Sequence, residues 1–481
     1  MKKLFLHIAF VVALLPLTAQ NWTIYNTANS EIDGNMILAI TTDQKNNKWV
    51  GTDLGLCKLA GKTWTDYAMF NEKLKGQSVN CLTIDNRGVL WIGTDDYGVI
   101  EFNGTRWTEY TAQTKKLSMK FISDIAIDKN DVKWVGVTLG GLVQVDGDNW
   151  TKYTAESSGL LSDFILCVTI DRVNRKWIGT NDGLCVLDDQ GRWTAYTKQN
   201  SKLPDNIVPA VKIDKNNVKW IGTLGGLCRF DGTNWVVYTK DNSPLPSNQI
   251  NDLCFDNNGS LWIATDKGVA LFDGTENWVT FTPKNSMLPS GMIQNIIVDA
   301  QGYKWFGTDS RGLVRFGGQG VRGRITDSRG NAKSGVTVHC GSTDVVTDAN
   351  GYYYCEVANN ANVTIRPEVE GFECTPAQRD INAIKAFTFG QDFSLSVGMT
   401  ATGTGSEKVF VNPFLEQGYI TITLESPVAE VEFVNSKGVS IRTIPEYRSE
   451  AKITITKMPK DSYTLFIRTA KGEKSLKFNL K

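Results

Sequence analysis

Short runs of alternating apolar and polar residues, separated by turn residues, recur through most of this 481-residue chain. One unit is marked by the triplet Trp-[Val/Ile/Phe]-[Gly/Ala], and successive triplets are 42 or 43 residues apart. The triplets begin at Trp49, Trp91, Trp134, Trp177, Trp220, Trp262 and Trp305. A constant period of this length, carried by short strands, is typical of the blades of a β-propeller.

Each unit predicts four strands, as the second unit illustrates. Residues 82–85 end the first strand, residues 90–93 form the second, residues 98–102 form the third, and residues 107–110 form the fourth. An Asp stands six residues before each of the seven Trp residues, and we expect it to hydrogen-bond the backbone of its own turn. The recurring Trp and Tyr rings are large enough to fill the space between blades.

The two ends of the repeat region complement each other. The seventh unit ends near residue 317 without a fourth strand, whereas residues 22–25 read Trp-Thr-Ile-Tyr, which is the fourth-strand pattern. We therefore predict that this N-terminal strand completes the last blade and closes the ring, which removes an exposed sheet edge. The predicted fold is all-β, with a seven-bladed β-propeller over residues 20–317 followed by two small β-sandwich domains.

The repeat resembles the two-component regulator propeller repeat. The resemblance recurs in phase over residues 20–317, and a representative unit is the segment 213–223, which reads Ile-Asp-Lys-Asn-Asn-Val-Lys-Trp-Ile-Gly-Thr. In that family such propellers often form the external sensor of membrane histidine kinases. Neither a kinase region nor a second apolar segment long enough to span a membrane is evident here, so we expect the fold to carry over but not the signalling role.

The region after the repeats has no Trp and resembles two other families. Residues 320–396 resemble the carboxypeptidase regulatory-like, transthyretin-like sandwich, on the basis of the strand-and-turn pattern in residues 321–327 and 347–353. Such domains are usually spacers or adhesion modules. The Gly- and Thr-rich residues 397–406 are predicted to form a linker.

Residues 407–481 resemble the C-terminal sorting domain of the type IX secretion system of Bacteroidetes. The resemblance rests on residues 411–413, which read Val-Asn-Pro, and on residues 458–463, which read Met-Pro-Lys-Asp-Ser-Tyr. It implies that the type IX secretion machinery is a partner of this chain. Residues 1–19 have a basic start and a short apolar run, which predict a signal peptide. We therefore expect a secreted or outer cell-surface protein that passes through the periplasm.

Charge and histidine content argue against several functions. Lys and Arg number 51 and so do Asp and Glu, and a formal net charge of zero disfavours a nucleic-acid-binding protein. His7 lies in the predicted signal peptide and His339 in the predicted sandwich, so residues 20–317 contain no histidine. This removes Ser/His/Asp catalysis and the commonest metal ligand from the propeller. Propeller enzymes that resemble the streptogramin lyases rely on a histidine for activity, so the absence of histidine from residues 20–317 also argues against a lyase of that group.

We therefore predict a binding protein that is not an enzyme and that needs no cofactor or metal. The alternative is a secreted polysaccharide lyase or hydrolase that uses carboxylates at the propeller mouth. A third possibility is a purely structural spacer.

The nine cysteines are predicted to be mainly structural. Those in the repeats occupy positions that hold small apolar residues in other units, so we expect them in the core. Cys340, Cys355 and Cys374 could form one disulfide in an oxidising compartment, and the sequence does not select the pair.

The loops between second and third strands are expected to surround one mouth of the propeller channel. Candidate ligand-binding residues in these loops are Asp53, Asp95, Tyr97, Asn181, Asp266, Asp309 and Arg311. Loops between fourth and first strands share that face and add Lys73, Lys75, Lys115, Lys116 and Lys120. We expect this face of a monomeric protein to bind a surface glycan, lipopolysaccharide or a surface protein. Two simpler interpretations stay open: the Asp residues cap their own turns, and the lysines are ordinary solvated loop charges.

Overall fold

The computed structural model of the chain describes ten segments, and every regular element in them is a β-strand. The described residues are 21–111, 121–327, 329–369, 372–397, 410–411, 419–423, 428–447, 450–454, 462–469 and 472–479. The chain divides into two compact units, residues 1–318 and 319–481. Within the described segments, no helix has the length and apolar character needed to cross a bilayer. The predicted signal peptide and almost all of the predicted linker lie outside these segments.

The described part of the first unit forms seven four-stranded sheets, numbered here by repeat. Strand β1 (Trp22–Tyr25) belongs to sheet 7. Sheet 1 contains β2 (Ile37–Thr42), β3 (Lys48–Thr52), β4 (Leu56–Ala60) and β5 (Thr63–Asp66); sheet 2 contains β6 (Val79–Ile84), β7 (Leu90–Thr94), β8 (Val99–Phe102) and β9 (Trp107–Tyr110). Sheet 3 contains β10 (Ile122–Ile127), β11 (Lys133–Val137), β12 (Gly141–Asp146) and β13 (Asn149–Tyr153); sheet 4 contains β14 (Ile165–Ile170), β15 (Lys176–Thr180), β16 (Leu184–Leu187) and β17 (Trp193–Tyr196). Sheet 5 contains β18 (Ala210–Ile213), β19 (Lys219–Thr223), β20 (Gly226–Phe230) and β21 (Trp235–Tyr238); sheet 6 contains β22 (Ile250–Phe255), β23 (Leu261–Thr265), β24 (Gly268–Phe272) and β25 (Trp278–Phe281). Sheet 7 contains β26 (Ile293–Val298), β27 (Lys304–Thr308), β28 (Leu313–Phe316) and β1.

The N-terminal strand joins sheet 7 to both of its neighbours. Strand β1 pairs antiparallel with β28, and Trp22 lies opposite Phe316. The ring of Tyr25 lies 5.5 Å from that of Trp64 in sheet 1, measured between centroids. The ring of Trp22 lies 5.9 Å from that of Phe281 in sheet 6. Because the first strand of sheet 7 also contacts the first strand of sheet 1, the sheets follow one another in a closed order.

An aromatic contact repeats at the junctions between sheets. In sheet 4, the ring of Tyr196 stacks on that of Trp177 with centroids 6.3 Å apart. The same tyrosine meets Trp235 of sheet 5 edge-on at 5.5 Å. Equivalent pairs across junctions are Tyr67 with Trp107, Tyr110 with Trp150, Tyr153 with Trp193, and Tyr238 with Trp278. Each aromatic pair stabilises the ring by about 0.5–1.5 kcal/mol beyond the area it buries.

A buried Asp, Trp and Lys form a second contact between sheets. The Oδ1 atom of Asp171 accepts the backbone N–H groups of Val173 and Arg175, which is the turn-capping role that the sequence predicts. Its Oδ2 atom accepts the Nε1–H of Trp177 at 3.1 Å. The Nζ atom of Lys219, from the next sheet, lies 3.8 Å from that Oδ2 and 5.1 Å from the centroid of the Trp177 ring. One lysine therefore joins two sheets by charge and by its contact with the indole.

A lysine lies over the tryptophan of the preceding sheet at five junctions of the described ring, and at four of them it also forms an ion pair with the aspartate; at the fifth, Lys304 acts electrostatically on Asp256. The lysines, each with its Asp and Trp of the preceding sheet, are Lys48 (Asp299, Trp305), Lys133 (Asp85, Trp91), Lys176 (Asp128, Trp134), Lys219 (Asp171, Trp177) and Lys304 (Asp256, Trp262). Sheets 2 and 6 carry Leu90 and Leu261 at the lysine position.

The described part of the second unit forms four further sheets. The first pair of sheets contains β29 (Gly318–Asp327), β30 (Thr337–Cys340), β31 (Thr343–Val346), β32 (Tyr352–Ala358), β33 (Ala361–Glu368), β34 (Phe372–Thr375), β35 (Arg379–Ile384) and β36 (Phe393–Val397). The second pair contains β37 (Phe410–Val411), β38 (Tyr419–Thr423), β39 (Val428–Asn435), β40 (Ser440–Tyr447), β41 (Glu450–Thr454), β42 (Ser462–Thr469) and β43 (Gly472–Asn479). The assignments of residues 320–396 and 407–481 to known domain families stay predictions.

The cysteines have the roles that their positions suggest. Cys340 and Cys355 form a disulfide in the second unit, and Cys374 is a free thiol. In the first unit Cys254 is half-buried, and the other five cysteines are buried as predicted; these are Cys57, Cys81, Cys167, Cys185 and Cys228.

Deleting residues 20–27 should destabilise the first unit strongly, because it removes Trp22 and Tyr25 from two sheet junctions. Losing one buried aromatic side chain of this size costs about 3–5 kcal/mol. The measurement is thermal unfolding of the truncated protein beside Val236→Ala, which alters a side chain that is 41% exposed and should change the melting temperature little. A truncated protein that melts at the same temperature as the intact one would contradict this account of ring closure.

Candidate ligand-binding site

The loops between second and third strands are fixed by a buried threonine. In sheet 4, the Oγ1 atom of Thr180 donates to the carbonyl of Gly183 at 2.8 Å and accepts the N–H of Asp182 at 3.0 Å. Gly183 has a φ of 142°, and a Cβ atom there would lie 2.6 Å from the carbonyl oxygen of Tyr196, so glycine is required. The same bond joins Thr94 to Gly98, Thr223 to Gly226, Thr265 to Gly268 and Thr308 to Gly312.

Three of the predicted acidic or amide side chains keep an unused acceptor. Asp53, Asn181 and Asp266 directly follow the loop threonines and are half-buried. The Oδ1 atom of each is shielded from solvent and has no hydrogen-bond partner among the described residues. The threonine hydroxyls, and not these side chains, make the hydrogen bonds that hold the turns. The hydrogen bonds therefore do not support the alternative that Asp53, Asn181 and Asp266 cap their own loops.

The other two predicted carboxylates are tied to neighbouring loops. The Oδ1 atom of Asp95 accepts a hydrogen bond from Nδ2 of Asn80. The Oδ1 atom of Asp309 accepts the hydroxyl of Ser290 at 2.8 Å. These five side chains therefore start the equivalent loop in five sheets but differ in how far their oxygens are already bonded.

Two predicted residues from different loops lie together. The Nζ atom of Lys73 is 5.1 Å from the centroid of the Tyr97 ring, close enough for a cation–π contact. Lys75 and Arg311 are exposed and belong to the same face. The remaining predicted lysines, Lys115, Lys116 and Lys120, lie outside the described residues.

Exposed apolar side chains gather on this face, and sequence reasoning missed them. We use the name mouth face for the loops that join second to third strands and fourth to first strands, which antiparallel sheets place on one side. We call six of the exposed apolar side chains in these loops the apolar collar; they are Met36 (39% exposed), Leu54 (48%), Phe121 (44%), Leu139 (61%), Leu224 (37%) and Met292 (38%). Met287, in the loop that follows sheet 6, is 47% exposed. Met69 and Phe70, in the loop that follows sheet 1, are 81% and 65% exposed.

The collar is fixed beside the predicted carboxylates by backbone hydrogen bonds. The carbonyl of Met36 accepts the N–H of Asp53, and the carbonyl of Met292 accepts the N–H of Asp309, both at 3.3 Å. In sheets 1 and 7, a residue with an exposed apolar side chain is thus hydrogen-bonded to a predicted carboxylate residue. The available signal was the phase of the repeat, which places Leu54, Leu139 and Leu224 in loops where polar residues are the rule.

The first strands of three sheets carry a lysine and two carboxylates that act on one another electrostatically. Asp124 of sheet 3 and Asp252 of sheet 6 both act electrostatically on Lys212 of sheet 5. Burial lowers the pKa of Lys212, but the charges of Asp252 and Asp124 outweigh burial and leave that pKa above its ordinary value. Burial raises the pKa of both carboxyl groups, although each accepts backbone N–H groups.

Each of these carboxylates also binds the next sheet. The Oδ2 atom of Asp124 accepts the N–H of Val168 at 2.8 Å, and that of Asp252 accepts the N–H of Ile296 at 2.9 Å. Alignment of the repeats would have exposed them, since the same strand position holds Ala39, Cys81, Cys167, Ala210 and Asn295 in the other sheets.

One group of side chains has donor atoms close enough for a metal ion. Asp33, Cys57 and Asp66 offer atoms that all lie within 4.8 Å of one another. Burial raises the pKa of Asp33 and that of the Cys57 thiol. Both shifts favour the protonated forms, which are poor metal ligands.

Comparison with known proteins supports the propeller fold of the first unit. Residues 73–96 and 244–267 match the sequence profile described as the two component regulator propeller. The repeats are similar to that family. No curated protein sequence matches the chain significantly.

Solved structures with this fold come from extracellular proteins and from enzymes. The extracellular domain of the hybrid two component system BT3049 from B. thetaiotaomicron matches with a TM-score of 0.56 and 15% identity, over 95% of this chain and 57% of that one. PorZ, described as an essential surface component of the type-IX secretion system of Porphyromonas gingivalis, matches with a TM-score of 0.51 and 15% identity, over 95% and 60%. Virginiamycin B lyase from Staphylococcus aureus matches with a TM-score of 0.51 and 14% identity, over 61% and 98%.

These similarities show a fold rather than an activity. At such identities the relatives support an all-β chain with a propeller, and this chain spans less than two thirds of the length of the first two relatives.

Replacing Lys212 by Met should destabilise the first unit, because two carboxylates lose their shared counter-charge. Removing one partner of a buried, contacting ion pair costs about 3–5 kcal/mol. We expect a smaller loss here, because these side chains are only half-buried and act on one another without a direct ion pair among the described residues. Urea unfolding measures the change, and the control is the triple variant Asp124→Asn, Asp252→Asn, Lys212→Met, which should regain part of the loss. A single variant as stable as the parent would show that the three charges are not coupled.

Proposed function

We propose that this protein is a secreted binding protein without catalytic activity, and that a seven-bladed propeller holds its ligand at the mouth face. The observation that carries the proposal is the apolar collar on the same face as Asp53, Asn181 and Asp266, whose Oδ1 atoms have no hydrogen-bond partner among the described residues. A ligand with an apolar part would cover the collar, and its hydrogen-bond donors would reach these oxygens once the side chains that shield them shift. Exposed apolar patches on a folded surface commonly mark such interaction sites.

Among a surface glycan, lipopolysaccharide and a surface protein, the collar favours a surface protein. Protein interfaces combine an apolar centre with a polar rim, and they are enriched in Met, Arg and aromatic residues. The mouth face has this composition, with Met36, Phe121 and Met292 in the collar and Tyr97 and Arg311 in the adjoining loops. The lysines at Lys73 and Lys75 could contribute steering to a ligand that carries acidic groups.

The remaining regions support a role outside the cell. We propose export by the type IX secretion machinery, with residues 1–19 as the signal peptide and residues 407–481 as the sorting domain. The similarity to an extracellular sensor domain and to PorZ, a surface component, agrees with that setting. Residues 320–396 would act as a β-sandwich spacer between the propeller and the sorting domain.

The alternative function is a polysaccharide lyase or hydrolase that uses Asp53, Asp95, Asp266 or Asp309. Its support is the structural similarity to virginiamycin B lyase. A catalytically inactive form of that lyase, solved with quinupristin, has a histidine replaced by alanine. Because residues 20–317 of this chain contain no histidine, the comparison gives no equivalent group, and binding remains the stronger proposal.

Replacing three collar residues should weaken binding to the surface of the producing cells. The variant Leu54→Ser, Leu139→Ser, Leu224→Ser removes apolar area that contributes about 25 cal/mol per Å², so we expect a loss of affinity of roughly tenfold or more. The measurement is binding of the labelled full chain to an outer-membrane fraction. The control is Val173→Ser, which changes an apolar side chain that is 55% exposed in the turn between β14 and β15, outside the mouth face.

A second variant separates an apolar from an anionic ligand. Lys73, Lys75, Lys115, Lys116 and Lys120, all changed to Gln, should reduce binding mainly at low salt if the ligand is anionic, since salt screens exposed charges. If the collar variant binds as well as the control while the lysine variant does not, the site is electrostatic and the collar proposal is wrong.

Deletion of residues 407–481 tests the proposed route of export. The truncated protein should accumulate in the periplasm of a host that has type IX secretion, because the sorting signal is lost. Fractionation followed by immunoblotting measures this, and normal surface display of the truncated chain would refute the assignment.

A further inference from the structure

One junction between sheets lacks the cation that the others have on the tryptophan ring. Sheet 6 carries Leu261 at the lysine position, so no lysine reaches back to Trp220 of sheet 5. Within the described residues, no cationic side chain lies over the Trp220 ring, whereas Lys219 lies over Trp177 and Lys304 over Trp262.

At the junction between sheets 1 and 2, where Leu90 replaces the lysine, another lysine covers the tryptophan ring. The uncovered ring is therefore found only at the junction between sheets 5 and 6 among the described junctions. Sheet 2 carries Leu90, but Lys58 of sheet 1 places its Nζ atom 4.5 Å from the centroid of the Trp49 ring and 3.5 Å from Oδ2 of Asp43. Sheet 5 has Arg229 at the position of Lys58. Arg229 turns elsewhere, since its Nη1 atom is 3.8 Å from Oδ2 of Asp231.

At this junction the indole N–H of Trp220 and the carboxylate of Asp214 lack contacts that the equivalent groups make in sheet 4. Trp220 is 3% exposed, yet its Nε1–H has no hydrogen-bond partner among the described residues. The equivalent Trp177 donates to Asp171 at 3.1 Å. Asp214 caps its turn through Oδ1, which accepts the N–H of Val218 at 2.9 Å, but it is only half-buried, whereas Asp171 is buried.

A cavity occupies the place of the missing side chain. It has a volume of about 520 Å³ and is lined by Asp214, Trp220, Arg229, Asp256, Leu261 and Phe272 among others. The junction between sheets 4 and 5, where Lys219 is present, holds a cavity of only about 130 Å³. The larger cavity thus combines part of a largely buried aromatic ring, a carboxylate and room for an alkyl chain.

We propose that this cavity binds an alkylammonium group, which lies on the ring of Trp220 and pairs with Asp214. The ligand would occupy the position that a lysine side chain of the same chain fills at five other junctions. Its charge would also draw the Asp214 carboxylate towards the tryptophan, so that Oδ2 accepts the Nε1–H as Asp171 does. The site lies at the turns between first and second strands, opposite the mouth face, and so is separate from the proposed function.

The charges around the cavity fit a cation. Asp214, Asp256 and Asp273 line it, against Lys215 and Arg229. Asp256 already accepts the Nε1–H of Trp262 at 3.1 Å and lies near Lys304. Lys219 acts on Asp214 less strongly than on Asp171, so Asp214 is the carboxylate with the weaker existing partner. Arg229 is the group that could compete for the ring, because the equivalent Lys58 does so in sheet 1.

The test uses the full chain and measures binding by titration calorimetry and by ligand-detected NMR. n-Butylamine should bind roughly tenfold more tightly than n-butanol, which has the same shape without the charge. Leu261→Lys should abolish butylamine binding and raise the melting temperature, because it restores the repeated contact. The matched control Leu90→Lys should do neither, since Lys58 already covers Trp49.

Further variants keep the proposal testable if Leu261→Lys fails to fold. Asp214→Asn should weaken butylamine binding severalfold, and Arg229→Gln should leave it unchanged or strengthen it. Equal binding of the amine and the alcohol would overturn the proposal, as would full binding by Leu261→Lys or by Asp214→Asn. The source of the ammonium group is tested with acetylated Gly-Lys-Gly, which represents a protein lysine, and with 1,4-diaminobutane, which represents a free amine. Acetylated Gly-Gln-Gly is the uncharged control, and tighter binding of either amine than of this control supports the site.

Discussion

The contact of a buried aspartate with a tryptophan and with a lysine from the next sheet is the interaction on which the ring depends. A carboxylate taken out of water is costly unless it is paired and hydrogen-bonded. Asp171 meets that requirement with two backbone N–H groups, an indole N–H, the guanidinium of Arg175 at 2.7 Å and the more distant ammonium of Lys219. Because the lysine comes from the next sheet, the contact links the turn of one sheet to its neighbour at the junctions where the lysine is present.

This arrangement separates stability from recognition. The turns between first and second strands carry the buried charges, and the fourth strands carry the aromatic contacts that join sheets. The mouth face contributes little to either and is held by the threonine bonds within single loops, such as that of Thr180. Its exposed side chains can therefore differ from sheet to sheet without loss of the ring, as the exposed Leu54, Leu139 and Leu224 illustrate. The same logic makes the junction at Leu261 informative, because there the repeated contact is missing and a cavity replaces it.

Much of the scaffold could be predicted from the sequence, because it repeats. The period of the Trp residues predicted the strands, the Asp residues cap their turns, and residues 22–25 pair with β28. The candidate site was harder, because exposure depends on how the loops fold. The Asp ring was expected either to bind ligand or to cap turns, whereas the threonines hold the turns and Asp53 keeps a free oxygen.

Other features depend on contacts between distant repeats. Asp124, Lys212 and Asp252 come from three different sheets, so no local pattern brings them together. The disulfide between Cys340 and Cys355 joins β30 of one sheet to β32 of another, an arrangement that cysteine spacing alone left open. The apolar collar likewise combines residues that precede first strands with residues that follow second strands, and backbone hydrogen bonds such as those of Met36 with Asp53 and of Met292 with Asp309 relate the two sets of loops.

The central claim is that ligand is held at the mouth face by a ring whose junctions stay closed. Hydrogen–deuterium exchange of the full chain, with and without an outer-membrane fraction that it binds, tests this most directly. The account predicts added protection in the loops that contain Leu54, Leu139 and Leu224, while the turns that contain Asp128 and Asp171 exchange slowly in both states. Protection confined to those turns, or absent from the mouth loops when binding is saturated, would contradict it.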